Sequence, residues 1–186
     1  CRELTMQLTE AEPPSLPFPR LTYAEAMARY GSDKPDIRFG LELQDLGDLL
    51  ADTGVGFLKA ALAAGNVVKA VAAPGLAGLS GQKLREQVKA YEEVVKIYGA
   101  KGLAWLDYPA EGGPKSPIAK FFSAAELAAI AERCQAGPGD VVFMVADTAR
   151  VATAALGELR LRLGRDLNLI APGQFAYLWV VDFPLV

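Results

Sequence analysis

Apolar side chains recur with helical spacing in three long stretches of the chain. Leu84, Val88, Tyr91, Val95 and Tyr98 stand four, three, four and three positions apart, one stripe on a helix capped by Ser80 and ended by Gly99. Ser123 and Glu126 have capping-box spacing and open a second helix, with Leu127, Ile130 and Cys134 turned inward and a stop at Gly137-Pro138. A third begins after Asp147 or Thr148 and puts Ala152, Leu156, Leu159, Leu163 and Leu167 on one face. A shorter helix starts at a capping box formed by Thr22 and Glu25, with Leu21 as a staple, and ends at Gly31. Residues 1–11 form another helix, broken by Pro13-Pro14, and residues 13–19 read as an extended proline-rich connector.

The remaining apolar runs read as strands. Residues 141–145, the most apolar run, form the central one. Residues 57–62 and 67–72 make a hairpin around Ala64-Gly65-Asn66, 103–106 a short strand, 115–121 an edge strand bent by Pro117, and 174–183 a returning strand. Phe39, Leu41 and Leu43 alternate with Arg38, Glu42 and Gln44, the pattern of a half-buried strand or extended segment. The expected fold class is α+β: a two-layer domain with a largely antiparallel sheet and helices on one face. From about Leu46 the composition shifts toward Ala, Val and Gly, which places a domain boundary there.

Composition removes several kinds of chemistry. Histidine is absent, so Ser-His-Asp triads, Cys-His pairs and most zinc sites are excluded. Two cysteines are too few for a disulfide framework, which implies a reducing compartment. The net charge of -3 argues against a basic nucleic-acid footprint over the whole chain. No stretch approaches the roughly 18 uncharged apolar residues of a membrane span. The chain starts at Cys1 rather than Met, as expected of an excised or truncated segment.

Candidate chemistry is sparse. The glycine-rich run 75–81 precedes a helix but lacks the ending and spacing of a phosphate-binding fingerprint, so it reads as a structural loop. Asp33 and Asp36 flank Lys34-Pro35 and stabilise a turn, while Glu92 and Glu93 lie on the solvent side of their helix. Arg150, Arg162 and Arg165 form a mild basic stripe, in which Glu158 and Asp166 pair with Arg162. Lys115, Lys120, Arg150 and Arg165 are candidate phosphate contacts. Trp105 and Trp179 read as core residues and Cys134 as a small buried one. No constellation here is sufficient for catalysis.

Three segments carry a resemblance: Pro19-Arg20-Leu21-Thr22-Tyr23-Ala24-Glu25-Ala26-Met27, Tyr30-Gly31-Ser32-Asp33-Lys34-Pro35-Asp36-Ile37-Arg38-Phe39-Gly40 and Leu178-Trp179-Val180-Val181-Asp182-Phe183-Pro184. With Pro117-Ile118-Ala119-Lys120-Phe121 and Leu156-Gly157-Glu158-Leu159-Arg160 between them, the chain resembles bacterial-type aspartyl-tRNA synthetases, class II enzymes. The resemblance implies that residues 1–45 and 171–186 flank from the catalytic domain and that 46–170 form the GAD insertion domain. It also implies an intact enzyme that joins aspartate to tRNA with ATP and Mg²⁺, as a cytoplasmic homodimer. The family's Phe-Arg-x-Glu and late Gly-rich segments do not occur here, so the segment by itself is expected to hold no cofactor or catalytic residue and to be inactive. Within the intact enzyme Ser32, Asp33 and Lys34 would lie near the active-site rim. Two other readings stay open on the residues: a stand-alone RNA- or protein-binding module, and a purely structural insertion.

Overall fold

The computed structural model describes Glu3, residues 16–79 and residues 81–185. Apart from Glu3, the helix expected over residues 1–11 lies outside these residues, as do the Ser80 cap and residues 13–15 of the connector. In chain order β1 (Arg20–Thr22) leads into α1 (Tyr23–Tyr30), β2 (Gln44–Asp45) into α2 (Gly56–Ala63), and β3 (Val67–Ala73) into α3 (Gly81–Ile97). Then β4 (Ala104–Tyr108) leads into α4 (Ala124–Cys134), β5 (Asp140–Asp147) into α5 (Ala149–Asp166), and β6 (Trp179–Val181) follows.

The expected α+β class and antiparallel sheet hold. The main sheet has the order β2-β3-β5-β4 with every pair antiparallel, and β5 is central as its apolar run predicts. The helices, however, cover both faces instead of one. Val71, Ala73, Val141, Phe143 and Val145 pack with Leu84, Val88, Tyr91 and Val95 of α3 and Leu156, Leu159 and Leu163 of α5. Val68, Ala70, Val142 and Met144 turn the other way, against Leu58 of α2 and Ile130 and Cys134 of α4. Alternate strand residues point to opposite faces, so a strand apolar at both parities needs cover on both sides.

Two expected strands are not strands. Residues 57–62 lie within α2, because the run Phe-Leu-Lys-Ala-Ala-Leu fits either state by pattern and its Leu, Lys and Ala residues are strong helix formers. The sheet is antiparallel for another reason: β3 and β4 both pair with β5, which runs between them. Residues 115–121 give one bridge, Lys115 to Asp107, and then a 3₁₀ turn over Ala119–Phe121. Pro117 lacks the amide hydrogen that a longer ladder needs.

The helix ends follow their caps. Thr22 Oγ1 accepts the Glu25 amide at 3.1 Å and Glu25 Oε2 accepts the Thr22 amide at 2.7 Å, with Gly31 left-handed at φ 72° after the last turn. Ser123 and Glu126 repeat the capping box on α4, which ends before a left-handed Gln135 rather than running to Gly137. The first turn of α5 is capped by Thr148, not Asp147. On α3 the stripe stops with Val95; Tyr98 lies past the helix and is 41% exposed.

The chain flanks meet in a second, two-stranded sheet. Parallel β1 and β6 pair Arg20 to Trp179 and Thr22 to Val181, with Phe18 against Tyr177 and Tyr23 against Phe183. The expected strand over 174–183 is thus shortened to three residues. Trp179 is not core: it is 58% exposed, because no layer among the described residues covers that face.

Candidate functional site

The segment between α1 and β2 is built around a cation on α5. Arg160 is 1% exposed. Its Nη2 donates to the carbonyls of Asp36, Phe39 and Gly40 at 2.7, 2.9 and 2.8 Å, and its Nε to that of Leu41 at 3.1 Å. The guanidinium lies 4.1 Å from the Phe39 ring centroid and 4.9 Å from that of Tyr30. Four carbonyl dipoles and two ring faces thereby solvate a charge taken out of water. Burial pushes the Arg160 pKa down, while Tyr30, Asp36 and Glu42 push it up.

Convergence of those carbonyls bends the chain. Leu41 adopts a left-handed φ of 62°, so the alternation of Phe39, Leu41 and Leu43 does not become a strand, although Phe39 and Leu43 are buried. Two glycines of α5 let the segment approach. A Cβ on Gly157 would stand 2.9 Å from the Gly31 carbonyl oxygen, and one on Gly164 would stand 2.6 Å from Phe39 Cζ. A Cβ on Gly31 would strike the Thr153 carbonyl oxygen and come within 2.7 Å of Gly157 Cα. Gly157, Arg160 and Gly164 lie three and four residues apart, on one helix face.

A surface network surrounds this clasp. Arg29 donates to both Glu42 carboxylate oxygens, at 2.8 and 2.6 Å, and Tyr30 Oη donates to Glu42 Oε1 at 3.1 Å. Arg29 first, then Tyr30, holds the Glu42 carboxyl below its ordinary range against the opposing effect of burial. Asp36 stabilises its turn as expected, accepting the Arg38 amide at 3.0 Å and its guanidinium at 2.9 and 2.7 Å. The Arg38 guanidinium lowers the Asp36 pKa.

Ser32, Asp33 and Lys34 form the tip of this segment. Ser32 Oγ accepts the Lys34 amide at 3.1 Å, and Lys34 is exposed. The turn role expected of Asp33 has no counterpart in a hydrogen bond from its side chain among the described residues. The other four candidates do not converge. Arg150 and Arg165 are exposed on α5, fifteen residues or about 22 Å apart. Lys115 and Lys120 are exposed in the β4–α4 connection, whose Ile118 and Phe122 pack on the opposite sheet face from α5. Lys115 exchanges backbone bonds with Asp107, and Lys120 sits 5.0 Å from the Phe121 ring centroid. Arg162 pairs with Asp166 at 2.8 Å, while the expected Glu158 pair is not formed.

The glycine-rich loop is structural, as expected. Asp140 accepts the amides of Gly75 and Gly137 at 2.9 and 2.8 Å, and Ala77 donates to the Gly139 carbonyl. Glu92 and Glu93 both pair with Lys96. Cys134 is buried, and desolvation pushes its thiol up to about 12. A groove of about 680 Å³ runs between α2 and β4, walled by Phe57, Ala60, Ala61, Trp105 and Ile118. Among the described residues no group of three His, Cys, Asp or Glu is placed to hold a metal, and no helix is long and apolar enough to cross a membrane.

Residues 58–156 match the GAD domain. The chain belongs to the GAD-domain family. The match runs from α2 into α5 and includes the three long strands of the sheet, but stops short of Gly157, Arg160 and Gly164. Similarity to curated proteins extends further. The chain is 50% identical over 172 residues to an aspartate–tRNA(Asp/Asn) ligase of Moorella thermoacetica, covering 92% of this chain and 28% of that protein. It is 50% identical over 170 residues to the enzyme of that name from Symbiobacterium thermophilum, covering 91% and 28%. It is also 48% identical over 172 residues to an aspartate–tRNA ligase of Halalkalibacterium halodurans, covering 92% and 28%. The chain spans about 28% of the length of these relatives.

Arg160 is the residue that the sequence reading passed over. Its signal was available: one charged residue on an apolar helix face, bracketed by two interior glycines that each cost about 1 kcal/mol relative to alanine.

Proposed function

We propose that this chain is an internal segment of an aspartate–tRNA ligase, a GAD insertion carried between two pieces of a class II catalytic domain. The observation behind this reading is that near-50% identity to ligases extends over 92% of the chain, flanks included. The exposed aromatics of the β1–β6 sheet support it, since a two-stranded parallel pair with Trp179 and Phe183 in solvent is suited to cover by further chain. On this reading residues 1–45 and 171–186 are catalytic-domain flanks and residues 46–170 the insertion. The intact enzyme activates aspartate with ATP and Mg²⁺, transfers it to tRNA, and works as a cytoplasmic homodimer. The segment alone is inactive, its Ser32, Asp33 and Lys34 lie at the active-site rim, and Lys115, Lys120, Arg150 and Arg165 remain candidate tRNA contacts.

Expression of the full reading frame around this segment tests the proposal. The full-length protein is expected to support aspartate-dependent ATP–pyrophosphate exchange and to charge tRNA, whereas residues 1–186 alone support neither. A full-length protein without aspartylation activity overturns it. Replacing residues 46–170 by a short linker then separates a structural insertion, which changes stability, from one that contacts tRNA, which changes charging.

A further inference from the structure

The loop Gly31 to Pro35 is held at both ends by one side chain. Before it, the Tyr30 ring packs on the Arg160 guanidinium at 4.9 Å; after it, the Asp36 carbonyl accepts from Arg160 at 2.7 Å. Gly31 itself is seated on Gly157. The base of the loop is therefore fixed to a helix of the main core, while its tip carries polar groups outward. Among the described residues the Lys34 ammonium has no ion pair. An anchored backbone with an uncommitted cation at its tip is the arrangement of a preorganised contact loop.

We infer that Arg160 is a positioning residue, which by gripping Tyr30 and Asp36 presents Lys34 to a phosphate group of a substrate. The inference rests on the ligase reading, in which both ATP and tRNA carry that chemistry. A lysine supplies a compact point charge on a flexible stem, so its contribution depends on where the backbone holds it. Displacement of about 1 Å is enough to change rates a hundredfold. Arg160 never reaches the substrate; it acts through the loop.

The test is a double-mutant cycle in the full-length enzyme, with Lys34→Ala, Arg160→Lys and both together. Arg160→Lys keeps the charge but removes the planar fork that reaches several carbonyls. Each single change is expected to lower kcat/KM by roughly tenfold to a hundredfold, the range of one charge-assisted contact. The double variant is expected to fall no further than the worse single, because a displaced Lys34 has no contact left to lose. A merely structural Arg160 gives effects that multiply.

Pyrophosphate exchange without tRNA reads contact with ATP, and a loss confined to charging assigns the phosphate to tRNA. If Arg160→Lys does not fold, Gly157→Ala displaces the same loop from the Gly31 side and should show the same coupling to Lys34. A normal Lys34→Ala enzyme, or a double variant equal to the product of the singles, overturns the inference while leaving the ligase intact. A wild-type enzyme unable to charge removes the ligase reading, and the inference with it.

Discussion

Phe143 and Trp179 are both large aromatic residues on apolar strands, yet Phe143 is 0% exposed and Trp179 is 58% exposed. The difference lies in the layers around each strand. In the main sheet β5 has a strand on either side, α3 and α5 over one face and α2 and α4 over the other. In the flank sheet, among the described residues, β6 has only β1. A strand's composition states what it can bury; only the neighbouring layers decide whether it does. Among the described residues the main sheet is covered on both faces, and the flank sheet has an open face.

The largest expected effect follows from that contrast. Phe143→Ala should cost about 3–5 kcal/mol of unfolding free energy, because no neighbour can collapse into the space within a core sealed on both faces. Trp179→Ala should change the stability of this chain by less than about 0.5 kcal/mol. Denaturant titration of both variants checks the pair, and similar losses at the two positions would break the comparison. Full-length protein sharpens it: on the proposed ligase reading further chain covers the flank sheet, and Trp179→Ala should then cost about 2 kcal/mol.

Legibility in the sequence tracks the same distinction. Amphipathic helices with explicit caps could be read directly: the Thr22–Glu25 and Ser123–Glu126 boxes both form, and Leu84 to Val95 bury as their spacing requires. α2 is illegible as a helix because Phe57-Leu58-Lys59-Ala60-Ala61-Leu62 opens on an aromatic that suits a strand and is too short to show a helical period. With α2 taken as a strand, the second face of β5, which its apolar residues at both parities require to be covered, lacks one of its two helices. The clasp was invisible in another way. Asp36, Gly40 and Leu41 meet Arg160 through their carbonyls, and a backbone acceptor is present at every position whatever the side chain.

An intermediate effect is expected where the clasp meets the main core. Alanine in place of a mid-helix glycine ordinarily stabilises by about 1 kcal/mol. Gly157→Ala should instead destabilise by about 1–3 kcal/mol, because its Cβ would lie 2.9–3.1 Å from backbone atoms of Gly31, which cannot move aside like a side chain. Thermal unfolding of this variant beside an alanine change at exposed Gly81, the first residue of α3, where alanine meets no atom within 4 Å and should be neutral to mildly stabilising, gives the comparison. Equal stabilisation at both sites would mean that the Gly31 segment is not seated on α5.

The smallest expected effect is electrostatic and belongs to the rim of the clasp. Arg29 lowers the Glu42 pKa and Arg38 lowers that of Asp36. A carboxyl whose pKa is lower folded than unfolded contributes its full stabilisation above the unfolded value, and the contribution vanishes as pH falls through the folded value. The ordinary values are 4.5 for Glu42 and 3.8 for Asp36, so the loss should begin below about pH 5 and continue toward pH 3. Arg29 and Glu42 are 41% and 36% exposed at their side chains, and solvent screening limits the pair to under about 1 kcal/mol. Protection factors of the amides across residues 29–43, taken relative to the intrinsic exchange rate at each pH, should therefore fall on acidification before those of the β3–β5 amides. Glu42→Gln should flatten that dependence, whereas a pH response that begins in β5 would place the acid-sensitive groups in the sealed core instead of at the clasp.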